Sequence, residues 1–234
     1  MEIIMSALII VSGIILTCVC GGLATLFLIS FKRGRFINAL VFKGLASLCF
    51  VVFGAISCFT NPHSISELLI FLGLCLGIIG DELIALCQVL PKYDMRLFIG
   101  GGAFFLVGHI IYATSLLLRG GISWISLALS FIIAAAGSII YEKQRKFLSP
   151  EMKRPLVLYL GIVIFMMATA IGAFVGHISL GTGLFALGGV MFVVSDNILF
   201  AYKLGKEARF SQNIILHITY YVAQLAIAWS ISLL

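Results

Sequence analysis

Apolar runs of membrane-spanning length recur along this chain, and nothing else constrains its fold as strongly. Eight can be marked, at about 4–30, 36–59, 65–88, 95–118, 122–141, 155–176, 180–202 and 213–233. A spanning helix needs about 20 mostly apolar residues. Inside hydrocarbon each backbone N–H and C=O must find its partner within the protein, which a helix does by itself. With 62% hydrophobic and 10% charged residues, no soluble domain of this size could bury so much apolar surface. The expected fold is all-α: one integral membrane domain, 1–234, built as a polytopic bundle of about eight transmembrane helices. Short connections predict antiparallel neighbours in sequence order. The first residues have no basic segment and no cleavage-site pattern follows, so no signal peptide is expected.

The basic residues orient the bundle. Of the 15 Lys and Arg, all but Lys43 and Arg119 fall in or beside the odd-numbered connections. They are Lys32, Arg33, Arg35; Lys92, Arg96; Lys143, Arg145, Lys146, Lys153, Arg154; and Lys203, Lys206, Arg209. The positive-inside rule places those connections in the cytoplasm and both termini outside. The net charge of +6 thus sits where it would meet a membrane surface, and nucleic acid is not an expected partner.

Against this background three acids stand out. Asp81 and Glu82 follow Gly80 inside the third run, and Asp196 lies inside the seventh. A carboxylate at the bilayer centre costs about 2.5–3.5 kcal/mol even on mild scales, so each implies a function and a partner. Lys43 in the second run either snorkels to the headgroups or pairs with a buried acid or lipid phosphate. Lys43, Asp81, Asp196 and Tyr220 all lie six or seven residues from the basic ends of their runs. At 1.5 Å per residue that is one level, roughly 10 Å in. Four polar groups at one level suggest one pocket entered from the basic side. Gln224 lies one turn deeper on the face of Tyr220. His109 is past the midplane, with Tyr112 on the same face.

Each of these has a plainer reading. Either Asp could tie helices together through Ser, Tyr or Lys. His109 could be a proton relay or a hydrogen-bonded packing residue. Tyr220-Tyr221 could form an aromatic belt, and His217 reads as interfacial. Glu82 is one position round from Asp81 and could point elsewhere. The six cysteines all lie within apolar runs and read as packing residues, not as a disulfide framework or a metal site. No metal or cofactor is expected. Gly100-Gly101-Gly102 reads as close helix packing. No nucleophile elbow, HExxH or phosphate loop is present, which leaves acid–base chemistry as the enzymatic option. Leu72-Gly73 before Asp81 matches Leu187-Gly188 before Asp196, and His109-x-x-Tyr112 matches His217-x-x-Tyr220. Two parallel four-helix repeats would explain this, as would chance.

Several short motifs, in order, resemble the YhhN-type integral membrane proteins. They are Gly80-Asp81-x-Leu83, Phe104-Phe105-x-x-Gly108-His109-x-x-Tyr112, Phe192-x-x-Ser195-Asp196-x-x-Leu199 and Tyr220-Tyr221-x-x-Gln224. Lys43 with Leu45 resembles the family's early Lys-Pro motif, with Gly44 in place of the usual Pro, and Tyr159 with Met166 fits its sixth helix. The resemblance implies an eight-helix bundle and lysoplasmalogenase activity. That reaction hydrolyses the vinyl ether of a lysoplasmalogen to a fatty aldehyde and a glycerophospho-ethanolamine or -choline. Asp81 and Asp196 would be catalytic. Lys43, Glu82, His109, Tyr112, Ser195, Tyr220 and Gln224 would bind substrate or support the site.

That chemistry suits the residues. A vinyl ether resists base and yields to acid: protonation of its β-carbon gives an oxocarbenium ion, to which water adds. Two carboxyls can serve as acid, base and counter-charge. The apolar bundle would hold the alkenyl chain, and Lys43 or Arg96 the phosphate. The partners implied are a lysophospholipid and the bilayer, with no protein partner evident. The expected location is multi-pass in a bacterial cytoplasmic membrane. A proton-coupled small-molecule or lipid transporter, or a lipid-binding protein without turnover, remains as an alternative. Asn in place of either Asp is expected to spare folding, being nearly isosteric.

Overall fold

A computed structural model of the chain describes residues 2–60, 64–120, 150–204 and 209–234, with single positions 128, 131, 132, 135, 136 and 139 between. Seven long helices make up the described residues: α1 (Glu2–Lys32), α2 (Phe36–Thr60), α3 (Ile65–Val89), α4 (Asp94–Gly120), α5 (Pro150–Gly176), α6 (Leu180–Leu204) and α7 (Phe210–Ile231). All seven contain a stretch long and apolar enough to cross a bilayer. The chain is therefore an all-helical, multi-pass membrane protein. The run expected at 122–141 falls mostly outside the described residues; its six described positions are helical.

Local sequence sets the helix ends. α1 closes on Gly34, whose φ of +69° only glycine adopts cheaply. Arg35 N–H then bonds Ser30 C=O at 2.9 Å and Gly34 N–H bonds Phe31 C=O at 3.0 Å, which satisfies the last carbonyls. α3 opens with a capping box: Ser64 Oγ accepts from Glu67 N–H, and the Glu67 carboxylate accepts from Ser64 N–H. α3 and α4 are joined by a tight turn, Pro91–Tyr93. α5 begins at Pro150, several residues before the apolar run, with Pro155 inside it.

Helices adjacent in sequence pack together, as short connections require. α7 also packs against α1, α2 and α3 and is the most enclosed helix; α1 is the least, turning Leu8, Val11, Ile15 and Val19 outward. The N-terminal turns of α4 and α5 line one groove with the C-terminal turn of α6, so α4 and α5 run parallel. Gly120 and Pro150 therefore lie at opposite ends of the bundle. Glycine allows a close approach of backbones between α3 and α4. A Cβ on Gly80 would stand 2.9 Å from Gly101 C=O, and one on Gly101 would stand 2.7 Å from Gly80 C=O. The close packing expected of the glycine triplet is thus carried by its middle member, beside Asp81.

Candidate functional site

A cleft of about 790 Å³ opens among α1, α2, α3, α4, α6 and α7, toward the end that carries the basic connections. Asp81, Asp196, Lys43, Ser195 and Tyr220 all line it. The groups placed on one level by residue counts thus share one cleft.

The two acids have unlike surroundings. Asp81 faces α2: Lys43 Nζ lies 2.8 Å from its Oδ1, and Ser47 Oγ donates to Oδ2 at 2.8 Å. Lys43 also donates to Asp81 C=O at 3.3 Å. Its exposure is 3%, which excludes snorkelling and selects the ion pair. Lys43 and Ser47 stand four residues apart, hence on one helical face. Among the described residues no Lys or Arg pairs with Asp196. Tyr159 Oη donates to its Oδ2 at 2.9 Å, and His109 Nε2 lies 3.5 Å from that oxygen and from Tyr159 Oη. The His109 ring packs edge-on against Phe192, and its Nδ1 has no partner among the described residues.

Below the cleft a second polar layer ties α3, α4 and α7 together. Tyr112 Oη donates to Gln224 Oε1 at 3.1 Å, Gln224 Nε2 donates to Tyr220 Oη at 3.4 Å, and Tyr220 Oη donates to Gly77 C=O at 3.4 Å. Gly73 and Gly77 make room for it. A Cβ on either would fall 2.3 Å from Tyr112 or Gln224. Tyr112 and Gln224 are thus brought to the site as its floor, not to its wall.

Other expectations need correction. Tyr220 and Tyr221 are both buried and form no surface belt; Tyr221 Oη donates to Lys43 C=O at 3.3 Å. His217 is buried too, bonded through Nδ1 to Asn213 C=O and tilted against the Phe27 ring, on the cleft wall. Ser195 donates to Leu216 C=O and so joins α6 to α7. Glu82 turns away from the cleft. Its carboxyl lies 3.3–3.4 Å from where a Cβ on Gly44 would stand, so the Gly at that position leaves room for it. Arg96 is exposed and off the cleft; the cation at the mouth is Lys203, paired with Asp94.

Four residues escaped the sequence reading of the site. Ser47 could have been found as the polar residue one turn from Lys43. Tyr159, a hydroxyl one turn past Pro155, enters only through the sixth-helix resemblance, which gives it no place in the site. Lys203 and Asn213 sit near helix ends, where polar residues are ordinary and carry no signal. Among the described residues no three His, Cys, Asp or Glu side chains gather as a metal site requires.

A second, mostly apolar groove of about 750 Å³ adjoins the cleft, among α3, α4, α5 and α6. The two share Ile84, Phe105 and Leu199 as a common wall. Tyr159 lines the groove while its hydroxyl reaches Asp196 on the cleft side.

Compared with known proteins, residues 38–231 match the sequence profile of the YhhN family. Comparison with curated proteins and with solved structures returns no match.

Proposed function

This chain belongs to the YhhN family, and from that premise we propose that it is a lysoplasmalogenase-type hydrolase of vinyl ether lipids. The single observation that carries the reading is the pair of buried aspartates on one cleft, one facing the Lys43 ammonium and the other facing Tyr159 and His109. Asp196, with Tyr159 and His109, acts as the acid. It delivers a proton to the β-carbon of the vinyl ether, and the oxocarbenium ion forms. Asp81, held by Lys43 and Ser47, acts as the carboxylate. It faces the cation and takes a proton from the attacking water. The hemiacetal then collapses, its C–O bond breaking to give the fatty aldehyde and the glycerol hydroxyl. One water is consumed and both carboxyls regain their starting states through proton exchange. Tyr159 and His109 act by orienting Asp196.

The apolar groove supplies the place for the alkenyl chain, reached past Ile84, Phe105 and Leu199. One groove holds one chain, which favours a lysolipid over a two-chain lipid. The basic end faces the cytoplasm and both termini face outward in this reading, so the substrate enters from the inner leaflet.

A carrier is the competing reading, favoured by the buried Lys43–Asp81 pair, which a proton-coupled cycle could open and close. The test is to add lysoplasmalogen to the purified protein in detergent and measure free aldehyde. A hydrolase releases it without compartments. No release from folded protein refutes the proposal.

A further inference from the structure

Asn213 is a buried amide with no hydrogen-bond partner for its side chain among the described residues. It stands in the first turns of α7, its exposure is 1%, and it lines the cleft. Neither Oδ1 nor Nδ2 has a hydrogen-bond partner among the described residues. Its backbone is fully used: N–H bonds Arg209 C=O, and C=O takes His217 Nδ1. A side-chain amide offers two donors and an accepting oxygen. Leaving such a group buried and unpaired is costly, and native proteins rarely do so without cause.

We propose that Asn213 reads the head group of the lipid. This rests on the hydrolase reading for the identity of that lipid. Asn213 precedes Tyr220 by seven residues, which puts it roughly 10 Å nearer the mouth than the layer of the acids. With the vinyl ether at that layer, the glycerol phosphate arm runs outward to Asn213. Lys203, on the same rim, adds a cation beside the phosphate. Nδ2–H donates to a phosphate oxygen. Oδ1 accepts from a group that carries an N–H, which is the primary ammonium of ethanolamine. The quaternary ammonium of choline has no N–H and leaves Oδ1 unpaired. Asn213 is therefore a specificity residue favouring phosphoethanolamine over phosphocholine. One hydrogen bond to a charged group corresponds to about tenfold in affinity or more.

The test uses two saturated-ether probes, 1-O-hexadecyl-glycerophosphoethanolamine and its phosphocholine counterpart, which have no vinyl bond to hydrolyse. Binding to the full-length protein in detergent is measured calorimetrically. Wild type is expected to bind the ethanolamine probe about tenfold tighter. Asn213→Leu, which removes the orphaned amide and keeps its bulk, brings the two affinities together by weakening the ethanolamine side. Asn213→Asp keeps the acceptor and loses the donors, so it retains the preference while binding both probes more weakly. Equal binding of both probes by wild type overturns the assignment. So does failure of wild type to bind either, or a preference that survives in Asn213→Leu. Aldehyde release from a lysoplasmalogen is assayed in parallel. Release without a head-group preference sinks Asn213 alone; a preference without release sinks the hydrolase and leaves Asn213 as a head-group reader.

Discussion

Removing either aspartate's charge should stop turnover, but only one of the two changes should damage the fold. In Asp81→Asn the Lys43 ammonium, 3% exposed, loses the carboxylate 2.8 Å away. It keeps Asp81 C=O at 3.3 Å as an acceptor, which does not neutralise it. Breaking a buried ion pair by removing one partner costs about 3–5 kcal/mol, because a buried charge is left uncompensated. For a chain of this size that lowers the thermal midpoint on the order of 10 °C. Asp196→Asn differs. The Asn side-chain oxygen can still accept from Tyr159 Oη, now 2.9 Å from Asp196, and no Lys or Arg among the described residues is stranded. Its cost is about 1 kcal/mol. The isosteric argument that spared both variants at the level of sequence thus fails at Asp81, where the partner is a charge. Lys43→Met with Asp81→Asn should recover most of the lost stability, since replacing both partners of a buried pair is often neutral. It should recover none of the activity. The assay is a thermal melt of each purified variant in detergent, beside aldehyde release. If Asp81→Asn melts with wild type, or the double variant melts no higher than the single one, the ion pair does not hold α2 to α3 as argued.

Four further outcomes follow from the same geometry. Tyr159→Phe should cut aldehyde release by about 10–100-fold at near-normal stability, because it removes one hydrogen bond to Asp196 and keeps the packing; unchanged single-turnover rates would show the hydroxyl to be idle. Gly77→Ala should destabilise by about 1–3 kcal/mol, since its Cβ would press to 2.3 Å from Gln224 Nε2; the thermal midpoint reads it directly. A reporter active only outside the cytoplasm should work when fused after Leu234, and one active only in the cytoplasm should not. Single-chain vinyl ether lipids should turn over faster than two-chain ones, and comparable rates would remove the one-chain groove from the argument.

What the sequence determined by itself is the set of spans, the basic end and the level of the polar groups. Lipid leaves a backbone no partner but its own, so an apolar run of 20-odd residues must be a helix, whatever it packs against. A fixed rise per residue then converts position into depth, which is why Lys43, Asp81, Asp196 and Tyr220 were placed on one layer and line one cleft. The tertiary structure alone decided which groups on that layer touch. The helices are apolar on nearly every face, so no amphipathic stripe announces which side turns inward. Lateral order and rotation come from packing, here from glycines such as Gly80 against Gly101, where a missing Cβ lets two backbones meet. Only that rotation pairs Lys43 with Asp81, turns Glu82 toward Gly44, brings Tyr159 to Asp196 and buries the Asn213 amide on the cleft wall.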